Sequence, residues 1–324
     1  MEIVINTFGT YLSKNSDCFL IKNRDKKSEI SAKKVSKILI TTGATITTSA
    51  IKLAIDNNID IIFLDNFGNP YSRIWHSKLG STTLIRRRQL EYAMDNRGSE
   101  LAKKFIQIKF INYIDFLKKL EKYRKENTGF QALISFIQKE SKNLEALKGS
   151  VDKFRYTLLG IEGSVSNQYF SFISSLLPKK YQFESRSRMP AKDPFNAMLN
   201  YGYGILYSMI EKACIIAGLD PYVGFIHTDY YNKKSFVFDI IEMYRIYSDK
   251  VTVYQFTQKK IKDAFFDKIK NGYTLNTDGK KFYINEFNKY FEKKIRYKNR
   301  NVQIKNIIQL DLHALAQEFL KGLK

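Results

Sequence analysis

The chain has 324 residues, and its 54 Lys and Arg against 32 Asp and Glu give a formal charge of +22. This length suits two domains, and an apolar content of 44% excludes an intrinsically disordered chain. The charge indicates a polyanionic partner, nucleic acid first and an anionic membrane second. Abundant Lys, Ile, Asn and Tyr are also what an AT-rich genome would produce.

Several protein classes are disfavoured by what the sequence lacks. No apolar run approaches the ~20 residues of a membrane span, and the first residues lack the charged-then-apolar order of a signal peptide. Cys18 and Cys214 fit no Cys-x-x-Cys pattern of a metal or redox site. We therefore expect reduced structural thiols in a cytoplasmic protein.

The first ~75 residues predict short strands, because Val, Ile, Phe and Thr alternate with Asn, Asp, Gly and Lys. A short helix is predicted at Thr47–Asn57, and FGNPYSRIW predicts a turn leading into a last strand. The predicted strands are Met1–Phe8, Tyr11–Lys22, Lys37–Thr42 and Asp60–Asp65.

From about Thr83 onward, apolar residues recur at helical spacing. Residues 1–75 carry only 10 of the 54 basic and 7 of the 32 acidic residues, so most of the positive excess lies on this helical part. Pro178 ends a helix, and Lys179–Lys192 is predicted to be a loop. The predicted helices here are Leu84–Met94, Glu100–Glu126, Phe130–Leu147 and Phe154–Leu177.

The segment from Asp193 to Gly218 predicts a well-capped helix. Asp193 is a natural N-cap, Pro194 suits the first helical position, and Gly218 suits the residue that follows the last turn. Gly202 and Gly204 in mid-helix would allow a close backbone approach, to another helix or to DNA.

The next segment, Ser235–Tyr247, is apolar on nearly all sides, which predicts a buried helix. Asp239 and Glu242 interrupt it, and a spacing of three places both on one face. A buried carboxylate must be neutralised, paired or bound to a metal ion. Arg245 could pair with Glu242, so an ordinary ion pair is one interpretation and a metal site is the other.

Two further residues, His227 and Glu162, are polar side chains in apolar surroundings. His227, in GFIHTDYY, precedes the acidic helix, whereas His76 lies near the domain junction and His313 in a C-terminal amphipathic helix. Glu162, in YTLLGIEGSVSNQYF, shares a helical face with apolar residues and is surrounded by small ones. His227 could instead be structural and Glu162 exposed at a helix end.

One imidazole and several carboxylates suit Mn²⁺ or Mg²⁺ better than zinc, whose sites depend on Cys and several His. Such an ion can polarise a phosphoryl oxygen and activate an attacking hydroxyl. Phosphoryl transfer requires positioning and charge neutralisation rather than a nucleophilic Ser or Cys.

These motifs resemble the CRISPR-associated Cas1 family, the integrase of CRISPR adaptation. The resemblance is carried by RMPAKDPFNAMLNYGYGILYSMIEKACIIAGLDPYVGFIH followed by KKSFVFDIIEMYR. GIEGSVSNQYF resembles the Gly-x-Glu-Gly motif of the family, and RRRQLEYA and KFINYIDFLKK resemble its first helical stretch. The family often has Gly-Arg where this chain has Lys233-Lys234.

The resemblance implies an α+β fold, in which an N-terminal β-rich, β-sandwich-like domain precedes a larger all-α-helical catalytic domain. We expect residues 1–80 to form the first, a dimerisation domain, and residues 81–324 the second, which binds metal and DNA. Glu162, His227 and Glu242 would hold Mg²⁺ or Mn²⁺, and Asp239 would be an assisting catalytic acid. His227 could instead accept a proton.

The resemblance also implies partners and a reaction. Members form homodimers, and a small Cas2 protein bridges two dimers. They join the 3′-hydroxyl ends of protospacer DNA to the CRISPR repeat by transesterification, and they cleave branched DNA. We therefore expect a metal-dependent DNA endonuclease and integrase. A mobile-element integrase, a branched-DNA repair nuclease and a non-catalytic basic DNA-binding scaffold are the alternatives.

Binding to DNA should depend mainly on phosphate contacts by Lys and Arg. Tyr201, Tyr203, Tyr230 and Tyr231 could in addition stack on splayed bases. The basic candidates are Arg86, Arg87, Arg88, Lys103, Lys104, Lys109, Lys179, Lys180, Arg186, Arg188, Lys293, Lys294, Arg296, Lys298 and Arg300.

Overall fold

The computed structural model describes residues 1–23, 26–35, 37–57, 59–64, 70–74, 83–124, 129–227 and 233–321. The chain divides into two compact units, residues 1–79 and 80–324. His76, Tyr230 and Tyr231, and the start of the predicted turn after Asp65, lie outside the described residues. None of the helices in these described ranges is long and apolar enough to cross a membrane.

The first unit is β-rich, as predicted. Two four-stranded sheets, ordered β1-β5-β7-β8 and β4-β3-β2-β6, share a core with one helix, and fully buried Leu12, Ile38 and Ala54 represent the three layers. The elements are β1 (Glu2–Ile5), β2 (Thr10–Asn15), β3 (Cys18–Asn23), β4 (Lys26–Ser31), β5 (Lys37–Ile40), β6 (Ala44–Ile46), α1 (Thr48–Asp56), β7 (Asp60–Leu64) and β8 (Pro70–Ile74).

The strand prediction was wrong in two respects. The segment predicted as one strand, Tyr11–Lys22, is the antiparallel hairpin of β2 and β3, because Ser16 adopts a left-handed conformation with φ 49° and reverses the chain. The strands β4 and β6 were missed. The sequence of β4, KKSEIS, is charged and largely exposed, so it lacks the apolar alternation that identifies a half-buried strand.

The second unit is predominantly helical, as predicted. Helix α7 lies against α3 and α6 and is buried on almost every side, which agrees with its apolar sequence. The helices are α2 (Thr83–Ala93), α3 (Asn96–Glu121), α4 (Gly129–Glu145), α5 (Val151–Ser175), α6 (Pro194–Ala217), α7 (Ser235–Thr257), α8 (Thr277–Phe291) and α9 (Ile304–Lys321).

Two antiparallel hairpins in this unit were not predicted, so it is not helical throughout. One pairs β9 (Phe266–Ile269) with β10 (Gly272–Leu275), and the other pairs β11 (Lys294–Tyr297) with β12 (Arg300–Gln303). Each strand has only four residues, and of the four strands only β10 has a buried residue, Leu275, so no hydrophobic periodicity marks them. Helix α7 also continues ten residues beyond the predicted end at Tyr247.

Helix α6 has the predicted caps. The Asp193 carboxylate accepts a hydrogen bond from the Asn196 backbone amide at 2.7 Å, and Gly218 is left-handed with φ 82°. The close approach predicted at Gly202 is made by Tyr283 of α8, whose hydroxyl lies 2.0 Å from where a Cβ would stand. The glycine therefore allows α8 to pack against α6.

Replacing Gly202 by alanine should lower the free energy of unfolding by about 1–3 kcal/mol, because the methyl group overlaps Tyr283. Gly160, in the middle of α5, is the matched control, since a Cβ there meets nothing within 4 Å. Gly160→Ala should stabilise by up to about 1 kcal/mol. Urea unfolding measures both; equal effects of the two substitutions would contradict the packing argument.

Candidate active site

Two of the predicted site residues, Glu162 and Glu242, converge on one cationic group. The ammonium of Lys109, from α3, donates to Oε1 of Glu162 on α5, and to Oε2 of Glu242 on α7 at 2.7 Å. The Lys109 side chain is 4% exposed, Glu242 9% and Glu162 21%. Three helices thus bring two carboxylates to the same position, with Glu162 on its more open side.

Two further side chains hold these carboxylates in place. Arg245, one turn after Glu242 on α7, donates from Nε to Oε1 of Glu242 at 2.9 Å. Ser166, one turn after Glu162 on α5, donates to Oε1 of Glu162 at 2.7 Å. The ion pair with Arg245 that the spacing allowed is therefore present, and it coexists with the approach of the two carboxylates.

The charges in this cluster stabilise one another. Burial by itself would raise the pKa of Glu242, but Arg245 and Lys109 outweigh burial and lower that pKa to about 2. Burial likewise opposes the charge of Lys109, and Glu162 and Glu242 reverse the effect and raise the pKa of its ammonium. Arg245 behaves in the same way, since Glu242 raises its pKa against the effect of burial. Glu242, Lys109 and Arg245 are thus charged at neutral pH.

The other two predicted residues, His227 and Asp239, form a separate pair. Asp239 is fully buried, and one of its oxygens accepts from the backbone amides of Phe225 and Ile226 at 2.5 and 3.0 Å. Its other oxygen accepts from the His227 amide at 3.0 Å and lies 2.6 Å from Nδ1 of His227. A carboxylate that accepts three backbone amides acts as an acceptor toward the ring as well, so Nδ1 is the donor, and in the neutral ring the lone pair is on Nε2.

The loop that carries His227 is held by residues that sequence reasoning missed. The fully buried amide of Gln89, on α2, donates to the carbonyls of Asp220 and Val223 at 2.9 Å each and accepts from the Asp220 amide at 2.8 Å. Arg155, on α5, donates to the carbonyl of Ile226 at 3.0 Å. Gln89 lies in RRRQLEYA, and an amide on a basic helix gives no sequence signal of a loop 131 residues away.

The structure does not bring all predicted ligands into one cluster. Among the residues it describes, no group of three or more His, Cys, Asp and Glu side chains stands at metal-binding spacing. Glu162 and Glu242 do meet at a common cation, and that donor chemistry fits Mg²⁺ or Mn²⁺. Nε2 of His227 is available as a ligand. Both oxygens of Asp239 accept hydrogen bonds from the His227 loop, so Asp239 is suited to positioning His227 rather than to binding a metal ion.

A further buried acid, Asp249, was not among the predicted residues. It lies two turns after Glu242 on α7, and its Oδ1 accepts from the Tyr203 hydroxyl of α6 at 2.5 Å. Burial raises the pKa of Asp249 to about 6, although the Tyr203 bond and the charges of Arg186, Lys109 and Arg245 act in the opposite direction. Burial and then the charge of Asp249 raise the pKa of the surrounding tyrosines, Tyr113, Tyr169 and Tyr203.

Asp249 should make stability depend on pH. Its pKa is higher in the folded protein than the ordinary 3.8, so its contribution to stability is complete below pH 3.8 and is lost as the pH rises through about 6. Asparagine does not titrate, so the free energy of unfolding of Asp249→Asn relative to the wild type should increase by about 3 kcal/mol between pH 3.5 and 7. Urea unfolding across this range measures the difference; a difference that does not change with pH would contradict the assignment.

The basic candidates fall into two groups. Lys103 and Lys109 are buried, so the expectation that they face DNA phosphates is wrong: Lys103 donates to the Leu147 carbonyl at 3.2 Å, and Lys109 joins the carboxylates. Arg186 is held by Asn196 and Asn200, beside the ring of Tyr203. The exposed group comprises Arg87, Lys104, Lys179, Lys180, Arg188, Lys293, Lys294, Arg296, Lys298 and Arg300, with Arg86 and Arg88 partly exposed.

The hairpin of β11 and β12 concentrates the exposed positive charge. Lys294, Arg296 and Arg300 are exposed on it and Lys293 directly before it, and Lys298 pairs with Asp311 at 2.9 Å. Two of the tyrosines proposed for base stacking lie in the described residues, and both have partners inside the protein: Tyr203 bonds to Asp249 and Tyr201 packs edge-on against Tyr283. The hairpin, with its exposed Lys and Arg side chains, is therefore a better candidate for a DNA-binding surface than these tyrosines.

Comparison with known proteins agrees on one family. Residues 3–289 match the family model described as CRISPR associated protein Cas1. A CRISPR-associated endonuclease Cas1 from Archaeoglobus fulgidus is 32% identical over 99% of this chain and 97% of its own length. This match spans the carboxylates, the His227 loop and the basic hairpin alike.

Solved structures share the fold at lower identity. A Cas1 protein from Thermotoga maritima has a TM-score of 0.83 and 21% identity, over 99% of this chain and 97% of that one. A casposase bound to its integration product also has a TM-score of 0.83, with 24% identity over 100% and 91% of the two chains. A chain of a Cas6-RT-Cas1–Cas2 complex has a TM-score of 0.81 and 21% identity, over 99% of this chain and 35% of that one.

Proposed function

Because the chain belongs to the Cas1 family, we propose that it is a metal-dependent DNA endonuclease and integrase of CRISPR adaptation. It would insert protospacer DNA into a CRISPR array by transesterification from 3′-hydroxyl ends. The observation that carries the proposal is the convergence of two carboxylates, buried Glu242 and partly exposed Glu162, on one cation position in a basic domain. The relatives named as endonucleases support the same reaction class.

In this proposal Glu162, Glu242 and His227 would hold one Mg²⁺ or Mn²⁺ ion. When bound, the ion supplies positive charge that polarises a phosphoryl oxygen. Arg245 and Ser166 fix the two carboxylates, so little reorganisation of the acids is needed when DNA binds. The protein's part in the reaction is thus a fixed arrangement of charges rather than a covalent nucleophile.

His227 is the candidate for moving a proton. Its Nδ1–H is held by Asp239, so Nε2 can accept a proton from an attacking 3′-hydroxyl or bind the ion. In either role Asp239 acts through His227, because its own oxygens are taken by that ring and by three backbone amides. We accordingly assign Asp239 as a positioning residue.

We propose DNA, a second copy of the chain and a Cas2 protein as partners in the cytoplasm. The exposed lysines and arginines, with the hairpin of β11 and β12 foremost, would neutralise phosphates. The similar chain in a Cas6-RT-Cas1–Cas2 complex supports a Cas2 partner. Residues 1–80 would form the dimerisation domain and residues 81–324 the catalytic domain.

A casposase-like role is the second candidate, favoured by the likeness to a casposase bound to its integration product. A mobile-element integrase or a branched-DNA repair nuclease would use the same residues, so the substrate and not the site separates these functions. The CRISPR assignment predicts insertion at repeats, whereas the alternatives predict insertion at other targets or cleavage of branched DNA alone.

A strand-transfer assay tests the proposal. The wild type with Mn²⁺ or Mg²⁺ is mixed with a short duplex bearing free 3′ ends and a supercoiled plasmid, with or without CRISPR repeats. We expect joined products at the repeats that are absent in EDTA. Joining that is unaffected by EDTA would exclude the metal-dependent reaction. DNA binding without joining or cleavage under any condition would leave only the non-catalytic scaffold.

A further inference from the structure

Lys109 occupies the position where the two proposed metal ligands meet. Its ammonium contacts one oxygen of Glu162 and one oxygen of Glu242, the latter at 2.7 Å. Lys109 belongs to a third helix, α3, and its side chain is 4% exposed, so it is an interior residue. Lys109 and Arg245 together balance the charges of the two carboxylates.

The chain therefore neutralises both carboxylates by itself. An unpaired buried carboxylate destabilises a fold by several kcal/mol, and a site that depended on a metal ion would carry that cost whenever the ion was absent. Here Glu242 is bonded on both oxygens, to Lys109 and to Arg245, while Glu162 is bonded to Lys109 and Ser166. Both oxygens of Glu242 and Oε1 of Glu162 thus have partners supplied by the chain itself.

We propose that Lys109 is an internal competitor of the metal ion, holding the two carboxylates together and leaving their shared position when the ion binds. This inference rests on the proposed function, since it assumes that Glu162 and Glu242 are ligands. A divalent ion lies ~2.0–2.2 Å from carboxylate oxygens. An ammonium on the same two oxygens would stand within a few ångströms of that ion, where like charges repel strongly.

Competition by Lys109 sets the apparent metal affinity. If the conformation with Lys109 withdrawn is populated to about one part in ten, the apparent affinity falls about tenfold below the intrinsic one. Removing the ammonium removes this penalty and leaves two acids that need a cation. The lysine should thus weaken metal binding while it stabilises the metal-free fold, two effects that an ordinary structural ion pair does not link.

The test is Mn²⁺ titration by calorimetry of the full chain carrying Lys109→Met, with Lys109→Gln as a second variant in case the first folds poorly. We expect either variant to bind Mn²⁺ at least about tenfold more tightly than the wild type. Its melting temperature should be lower without metal and should rise more on adding Mn²⁺. Lys118→Met, an exposed lysine on the same helix, is the matched control and should leave Mn²⁺ affinity unchanged.

Unchanged or weaker Mn²⁺ binding by both Lys109 variants would overturn the proposal. Adding Glu242→Gln to Lys109→Met should abolish the gain, which locates the tighter binding at this site. If the wild type joins DNA strands and Glu242→Gln stops it, while Lys109 variants bind Mn²⁺ no more tightly, only the competition fails. If Glu242→Gln changes neither Mn²⁺ binding nor joining, the proposed function fails as well.

Discussion

Replacing Glu242 by glutamine is expected to lower the rate of strand joining at least about 1000-fold. The substitution keeps the shape of the side chain but removes a negative charge, and charge stabilisation by a metal ion contributes several kcal/mol to such a reaction. Binding of DNA should persist, because the exposed basic residues are unchanged. A strand-transfer assay with a gel shift on the same preparation measures both effects.

Glu242→Gln should also cost about 3 kcal/mol of stability or more, because Lys109 and Arg245 both lose a charged partner inside the protein. Activity must therefore be compared at a temperature where the variant is folded. Glu286→Gln, which alters an ion pair with the exposed Lys289, is the matched control and should leave joining unchanged. Joining by folded Glu242→Gln at the wild-type rate would remove this residue from the site.

Asp239→Asn is expected to produce the second large loss, about 1000-fold in joining, although Asp239 does not touch the proposed ion. An asparagine presents an NH₂ group to donors that now meet carboxylate oxygens, so at least one of the contacts to Phe225, Ile226 or His227 is lost. The His227 ring also loses the acceptor that fixes its tautomer.

A double-variant cycle distinguishes this role from general destabilisation. If Asp239 acts through His227, then Asp239→Asn combined with His227→Ala should join DNA no more slowly than His227→Ala alone. Independent roles would instead give multiplied losses. Unfolding in urea of all three variants, run in parallel, shows whether the loop rather than the chemistry has been lost; a fully active Asp239→Asn variant would contradict the positioning role.

Sequence reasoning found the acids because they violate a hydrophobic pattern. Glu242 and Asp239 interrupt a helix that is apolar on nearly all sides, and burial then forces each carboxylate to find partners. The pattern could not say which partners. Asp239 was expected to assist the metal site, and its contacts are with the His227 loop, which turns three backbone amides toward it.

For Lys109, by contrast, nothing in the sequence indicates that the residue is buried. In KFINYIDFLKK a lysine looks like any other member of a basic helix, and it was predicted to contact phosphate. Its burial depends on the approach of α5 and α7 from positions 53 and 133 residues away, which no local pattern encodes. Gln89 was missed for the same reason. The sequence alone thus did not predict the role of polar and charged side chains whose partners are distant along the chain.

We propose that Glu162, Glu242 and His227 together hold one divalent ion. The most direct measurement is the anomalous scattering of a Mn²⁺-soaked crystal of the protein. We expect one peak ~2–2.2 Å from an oxygen of each carboxylate and from Nε2 of His227, with the Lys109 ammonium moved away. Saturating Mn²⁺ that gives no peak between these side chains, with Lys109 still bridging the two acids, would contradict the account.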